Sequence, residues 1–147
     1  AELVVAFLDM VENHKMVVEN SGLLTVAALK HLDVKDKKVV SILSGGNMDV
    51  ITMSSMVQFG LIQRDRVFTV SVLLPDKPGE LVKVANKIAE QQGNVIKLEH
   101  NQFVSVNRNA AVELKVTLEC FGHNHKEQIL KALNKAGYNP KEIAPSL

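Results

Sequence analysis

A serine followed by two glycines and an asparagine is the feature of this sequence best suited to holding a small molecule. The apolar segment 38–43 predicts a buried strand, and Ser44, Gly45, Gly46 and Asn47 follow it directly. The two glycines lack a Cβ atom, so they can take positive φ and let the backbone approach a ligand closely. Ser44 adds a hydroxyl at the carboxyl end of the strand, where ligands bind in open α/β sheets. The pattern predicts a ligand-binding turn, and the alternative is that Ser44 only caps the next helix.

Helical periodicity surrounds this turn and predicts three helices in the first part of the chain. Apolar residues recur at three- and four-residue intervals over 2–14, and a second helix is expected over about 22–32. A third is predicted over 47–59, with Gly60 as its C-cap. A single strand cannot satisfy its own backbone polar groups. Residues 1–66 are therefore expected to be a helix-rich fragment of a larger parallel sheet.

From residue 67 onward the pattern changes to alternating strands and helices in the order βαββαβ. The run 111–121 alternates most clearly, which predicts one core face and one solvated face. This order places two helices on one face of a four-stranded antiparallel sheet, an α+β, ferredoxin-like arrangement. The expected elements are strand 67–74, helix 81–88 ending near Gly93, strand 94–106, turn 107–109, strand 111–121, helix 129–136 closed by Gly137, and edge strand 138–143.

Two family resemblances rest on these segments. Residues 18–29 together with 37–49 resemble the final portion of the catalytic domain of threonine dehydratase (threonine ammonia-lyase), a fold-type II α/β enzyme that uses pyridoxal phosphate. Residues 78–81, Pro-Gly-Glu-Leu, with the downstream Gly-Asn pair at 93–94, resemble the ACT domain, an amino-acid-sensing module. The combination is similar to one class of threonine dehydratases. It implies that 1–66 ends the cofactor domain and that 67–147 is an ACT regulatory domain.

The first resemblance implies a role for four residues near the cofactor. Ser44 matches the serine that hydrogen-bonds the pyridine nitrogen, Gly45 and Gly46 match the glycines against the ring, and Glu19 matches a glutamate nearby. The reaction also needs a Schiff-base lysine and a glycine-rich phosphate loop. Neither has a match in this sequence, so no catalytic residue is assigned. The chain alone is expected to be inactive and to carry no bound cofactor.

The second resemblance implies an amino-acid effector, with isoleucine or valine expected. Asp76 is expected to meet the ligand's ammonium, Gly79 to allow close approach, and Asn94 to contact the ligand across a dimer interface. The alternative is that Asp76 only forms a turn and that Asn94 only follows a helix-capping glycine. Sheet edges and an uncovered sheet face predict a homodimer or higher homo-oligomer.

Two histidines, His123 and His125, suggest a metal at first sight. They lack a nearby cysteine or an obvious carboxylate, which leaves the ligand set incomplete, so no metal is expected. Asn124 between them is predicted to be the N-cap of the last helix. An enzyme that uses either histidine is a third interpretation, after the dehydratase and a free-standing amino-acid-binding regulator.

Composition excludes several classes of partner. The 147 residues carry a formal net charge of +1 with both signs interspersed, so neither a nucleic acid nor an anionic membrane is expected to bind. No apolar stretch approaches the roughly 20 residues that span a bilayer. The single cysteine, Cys120, falls in an alternating run and is expected to be a buried apolar residue in a cytoplasmic protein.

Overall fold

The computed structural model describes residues 2–102 and 112–145. They divide into two compact units, Ala1–Gln63 and Arg64–Leu147. No helix in this described part of the chain is long and apolar enough to cross a membrane. Each unit has its own hydrophobic core.

The first unit is built from short helices. Helix α1 spans Glu2–Asp9 and continues as one π-helical turn, Met10–His14; α2 spans Leu24–Ala28 and continues as a 3₁₀ turn, Leu29–His31; α3 spans Val50–Gln63. The three predicted helices are confirmed, with later boundaries for the third. Their apolar stripes meet in one cluster of buried residues: Ala6, Phe7, Met10, Val18, Leu23, Ala27 and Met56.

Gly60 does not cap α3, so that prediction was wrong. The helix runs on to Gln63, and Gly60 is a buried residue inside it. A Cβ atom at this position would lie 3.2 Å from Leu8 Cδ2 and 3.5 Å from Val4 Cγ1. The glycine is therefore explained by close packing of α3 against α1, which a cap prediction from local sequence does not consider.

The segment 38–43 is not a strand either. It is described without regular secondary structure, and Val40 and Ile42 are 89% and 75% exposed. Thr25 Oγ1 donates a 3.3 Å hydrogen bond to the carbonyl of Ile42, which ties the segment to α2. The prediction failed because no neighbouring strand within the described residues of this unit pairs with the segment.

The second unit has the predicted βαββαβ order. Its elements are β1 (Val67–Leu74), α4 (Glu80–Glu90), β2 (Asn94–Gln102), β3 (Val112–Glu119), α5 (His123–Lys135) and β4 (Lys141–Ile143). The strands form one antiparallel sheet in the order β2-β3-β1-β4. The α+β, ferredoxin-like fold class is confirmed. The predicted strand residues 103–106 and the turn 107–109 lie outside the described residues.

Both helices of this unit pack on the same sheet face. The core joins α4 and α5 to alternate residues of the two central strands: Phe68, Val70, Val72, Leu74, Val84, Ile88, Leu114, Val116, Leu118, Cys120, Ile129 and Leu133. Cys120 is buried as expected, and burial raises the pKa of its thiol. On the opposite face Thr117 was expected to be solvated. It is instead buried and shares a 2.9 Å hydrogen bond with Thr69 across the strand pair.

The ends of α5 confirm one glycine prediction and correct one asparagine. Gly137 follows the helix with a φ of +87°, as a C-terminal glycine should. Asn124 is not the N-cap, because the helix already begins at His123 and Gly122 occupies the capping position. Strand β4 lies at a sheet edge, and Pro140 stands just before it, where no ladder hydrogen bond is lost.

Candidate functional site

The carboxylate of Glu19 holds the turn Ser44–Asn47 by a hydrogen bond to its backbone. Oε2 of Glu19 accepts a hydrogen bond from the backbone N–H of Asn47 at 3.1 Å. Oε1 accepts the hydroxyl of Ser21. Gly45 has a φ of +82°, the left-handed conformation that glycine adopts without strain. The structure thus brings three of the predicted cofactor residues, Glu19, Ser44 and Gly45, into one local arrangement.

Two glycines make this arrangement possible. A Cβ atom on Gly45 would lie 2.0 Å from Oε1 of Glu19, and one on Gly22 would lie 2.0 Å from the carbonyl oxygen of Ser44. No side chain fits at either distance. The segments around Glu19 and Ser44 therefore lie in contact, without intervening side chains. Gly46 differs from both, since nothing lies within 4 Å of where its Cβ would be.

Ser44 is not the cap of α3. That role belongs to Asp49, whose Oδ1 accepts the N–H of Thr52 at 2.9 Å and whose Oδ2 accepts the Thr52 hydroxyl at 2.5 Å. These hydrogen bonds lower the pKa of Asp49. Ser44 is exposed, and its hydroxyl has no hydrogen-bond partner in the described chain. The hydroxyl is thus available to an external group.

These residues fit one edge of a pyridoxal phosphate ring. Ser44 supplies one hydroxyl, and the open space beside Gly46 would admit a flat group without a side-chain clash. The sequence supplies no second pair of adjacent glycines that could cradle a phosphate.

A second candidate site lies where β1 ends and α4 begins. A cavity of about 320 Å³ opens there, and Asp76 and Gly79, both predicted ligand residues, line it. Gly79 has a φ of +90° and stands at the N-cap of α4 without a side-chain hydrogen bond. The first residues of α4, Glu80 and Leu81, also line the cavity. The partial positive charge of the helix N-terminus therefore lies at the cavity wall.

Asn94 is not part of this cavity. It begins β2, where its Nδ2 donates a 3.1 Å hydrogen bond to Oε2 of Glu119 on β3. The cavity instead meets β2 at His100, six residues along the strand, a separation of about 20 Å at 3.3 Å per residue. Within one chain Asp76 and Asn94 are not brought together.

His100 and Val112 line the cavity but were missed from sequence. His100 is paired with Leu114 in the sheet register. Each of these two residues lies in a strand, and a strand pattern predicts only which side of the sheet a residue faces. Val112 lies near the loop at 75–79 because β3 pairs with β1, and His100 because β2 pairs with β3 in turn; no local signal in the sequence reports these pairings.

The two histidines of α5 have partners within the chain. Nδ1 of His125 accepts the backbone N–H of Phe121 at 3.1 Å, so its Nε2 carries the proton and donates to the carbonyl of Gln91 at 2.5 Å. His123 Nδ1 lies 2.7 Å from Oδ2 of Asp65. Among the residues described, no group of three or more side chains is placed to ligate a metal ion.

A buried lysine next to these histidines was also missed. Lys126 is 7% exposed, and its Nζ donates to Oδ1 of Asp65 at 2.7 Å and to Oε1 of Glu142 at 2.5 Å. The hydrogen bond from Lys126 lowers the pKa of Asp65. This cluster ties the segment before β1 to α5 and β4, so its first role is structural.

Curated relatives match the chain over nearly its whole length. It is 34% identical over 139 residues to an L-threonine ammonia-lyase of Geobacter sulfurreducens and 33% identical over 143 residues to one of Thermotoga maritima. These alignments cover 93% and 97% of this chain. The chain is homologous to threonine ammonia-lyases. The family resemblance expected from the sequence is thereby confirmed.

The matched chain spans only about a third of each relative, 35% and 36% for the two threonine ammonia-lyases above. A biosynthetic L-threonine dehydratase of Staphylococcus aureus is 26% identical over 138 residues, again over 32% of its length. No protein-family model matches the chain. The extent of these matches is consistent with the carboxyl-terminal portion of a threonine ammonia-lyase.

Proposed function

We propose that the chain is the carboxyl-terminal portion of a cytoplasmic lyase that converts threonine to 2-oxobutanoate and ammonia. Residues 1–66 would end the pyridoxal-phosphate domain, and 67–147 would be an ACT regulatory domain. The observation that carries this proposal is the similarity to threonine ammonia-lyases across both segments. The βαββαβ fold of the second unit and its loop cavity support the regulatory half.

In the intact enzyme, Ser44, Gly45 and Gly46 would form one wall of the cofactor site. Pyridoxal phosphate, when bound, supplies an electron sink for the elimination. Ser44 would place a neutral hydroxyl at the pyridine nitrogen, which does not force a proton onto that nitrogen as a carboxylate would. Gly45 and Gly46 would let the backbone lie close to the ring.

The chain alone should not perform the reaction. Its lysines near the turn, such as Lys37 and Lys38, do not resemble the Schiff-base lysine of the family. Incubation with pyridoxal phosphate and threonine should give no keto acid and no specific Schiff-base absorbance. Appearance of both would mean that a lysine of this chain is catalytic, and it would overturn the assignment of the missing parts to another segment.

The second unit would sense a branched-chain amino acid in the loop cavity. Asp76 would meet the ammonium, and the N-terminus of α4 behind Gly79 would meet the carboxylate. Leu81 and Val112 give the cavity apolar wall for a branched side chain. Its volume of about 320 Å³ is at the small end of the range of roughly 300–1,000 Å³ for ligand sites, which suits a molecule the size of isoleucine or valine.

Asn94 would complete this site only from a second copy of the chain. Its distance along β2 from the cavity excludes contact with a ligand held by Asp76 of the same chain. Self-association would place Asn94 of one copy against the loop of another. The effector site and the oligomer are thus two parts of one proposal.

Thermal unfolding tests the effector. Isoleucine or valine at one hundred times its dissociation constant should stabilise the folded chain by about 2.7 kcal/mol. Asp76→Ala should reduce that stabilisation by about half or more at the same concentration, because losing a charge-assisted hydrogen bond of roughly 1.5–3 kcal/mol weakens binding tenfold or more. Glu127→Ala, at an exposed position of α5 outside the cavity, is the matched control. If no amino acid shifts the wild-type melting temperature, the cavity is not an effector site.

A free-standing amino-acid-binding regulator is the second candidate, and the loop cavity favours it equally. The reading frame upstream of the present sequence separates the two. The lyase proposal expects roughly 200–300 further residues containing a lysine and a glycine-rich phosphate loop, because a doubly wound cofactor domain needs about that length. A start signal directly before this segment would favour the regulator.

A further inference from the structure

The contacts of Glu19 differ from those of a residue aimed at a ligand. Both carboxylate oxygens are engaged within the chain, Oε2 by the backbone N–H of Asn47 and Oε1 by the hydroxyl of Ser21. The carboxylate also packs directly against Gly45. A side chain whose two oxygens are already occupied by its own backbone and neighbour is placed to hold the turn.

The turn needs such support. Two adjacent glycines such as Gly45 and Gly46 have more intrinsic backbone freedom than other residue pairs, and nothing lies within 4 Å of where a Cβ atom of Gly46 would be. Within the described residues, Ser44 has no hydrogen bond of its own to fix its hydroxyl. Besides the backbone hydrogen bond from the N–H of Met48 to the carbonyl of Gly46 at 3.0 Å, the turn is supported by the carboxylate of Glu19 and the close approach of Gly22.

We propose that Glu19 is a positioning residue, which holds the Ser44–Asn47 turn in a binding-ready conformation before any cofactor arrives. The identity of the ligand that Ser44 would bind rests on the proposed function, whereas the support that Glu19 gives to the turn does not. A turn that is already ordered loses less conformational entropy when it binds, so the brace improves affinity without touching the ligand. The inference changes the role of Glu19 from cofactor contact to support of the cofactor turn.

Amide exchange and chemical shifts measured by NMR on the whole 147-residue chain test this without any cofactor. Glu19→Ala should speed exchange of the Asn47 amide about tenfold and move its proton resonance upfield, because it loses a charge-assisted acceptor. Glu19→Gln keeps a side-chain oxygen and should restore most of the protection. Asp33→Ala, an exposed acidic residue of the same unit outside the turn, should leave the Asn47 amide unchanged.

A double-mutant cycle adds a second readout. Gly45→Ala places a methyl group where Oε1 of Glu19 lies, so it should displace the carboxylate and release the Asn47 amide as Glu19→Ala does. Adding Glu19→Ala to Gly45→Ala should then change Asn47 exchange little further, because the brace is already lost. Additive effects, or an Asn47 amide that is unaffected by Glu19→Ala, would overturn the proposal.

The outcomes for this proposal and for the lyase differ. A braced turn in a chain whose upstream frame lacks a cofactor domain would overturn the lyase and leave the brace intact. An unbraced turn in a chain with that upstream domain would do the reverse. If Glu19→Ala speeds exchange of the Asn47 amide and Glu19→Gln does not restore its protection, a hydrogen-bond acceptor at position 19 is not sufficient. That result would also overturn the proposed role.

Discussion

Lys126 is the residue whose environment differs most from that of an ordinary surface lysine. Its ammonium lies between Asp65 and Glu142 and 5.6 Å from the centre of the Phe68 ring. Burial lowers the pKa of Lys126 while the two carboxylates raise it, and the net direction is upward, so the ammonium stays charged. The cation therefore compensates two acidic side chains on different elements of the second unit.

Lys126→Met should destabilise the second unit. The variant removes the cation that Asp65 and Glu142 share, although both carboxylates reach solvent in part and Asp65 keeps its contact with His123, so the expected loss is about 1–3 kcal/mol. Urea unfolding followed by fluorescence of Tyr138, the single tyrosine and a residue packed on this core, measures it. Lys131→Met, exposed on the same helix, is the control. Equal stability of the two variants would show that the ion pairs contribute nothing net.

Asp65 should make the same unit sensitive to acid. Its pKa is lowered in the folded state, first by the hydrogen bond from Lys126, so its contribution is fully present above its unfolded value of about 3.9. That contribution is lost as the pH falls through the lower, folded value. Asp65→Asn should therefore narrow the difference in unfolding free energy between pH 5 and pH 3. An unchanged difference would assign the acid sensitivity to other carboxylates.

At the scale of elements, the contact of α1 with α3 depends on one glycine. A Cβ atom at Gly60 would already press on Leu8 at 3.2 Å, and a branched side chain would have no room. Gly60→Val should cost about 1–3 kcal/mol by overpacking, more than Gly60→Ala, which regains helix propensity. Thermal unfolding followed by far-ultraviolet circular dichroism compares the two. A valine variant as stable as wild type would mean that the helices can separate at this point.

Local patterns predicted elements well where local physics decides them. The alternation from Val112 to Glu119 and the glycine at Gly137 both lie where the sequence placed them. Gly60 was wrongly predicted to be a helix cap because the lack of a side chain at this position is explained by close contact with α1, which is distant in sequence. The 38–43 segment was misassigned because a strand is a property of two segments, and the described unit offers it no partner.

In the candidate site, too, local features could be predicted from the sequence and contacts between distant segments could not. Positive φ is a local requirement that sequence can indicate, and of the two turn glycines Gly45 has it whereas Gly46 does not. The hydrogen bond between Glu19 and Asn47 joins residues 28 positions apart, and His100 lies 21 or more positions from the loop at 75–79 whose cavity it lines. Spacing in the sequence does not report such pairings, so neither the support that Glu19 gives the turn nor the cavity wall at His100 could be predicted from it.

The exposed strand edges of the second unit predict self-association. Strand β4 pairs with only three residues of β1, and β2 forms the other edge with Ile96 and Leu98 partly exposed. Exposed edges and apolar strand residues favour pairing with another copy. Light scattering should give the mass of a dimer or a larger homo-oligomer. A monodisperse monomer at high concentration would contradict both the oligomer and the role proposed for Asn94.

The rate at which the buried thiol of Cys120 is labelled can report how often the core of the second unit opens. The sulfur is enclosed in the core of the second unit, and the raised pKa of the thiol keeps it from the reactive thiolate form. An alkylating reagent should therefore wait for the core to open, so the rate of labelling counts openings in the native ensemble. Lys126→Met should increase the rate of Cys120 alkylation, whereas Gly60→Val, in the other unit, should leave that rate unchanged.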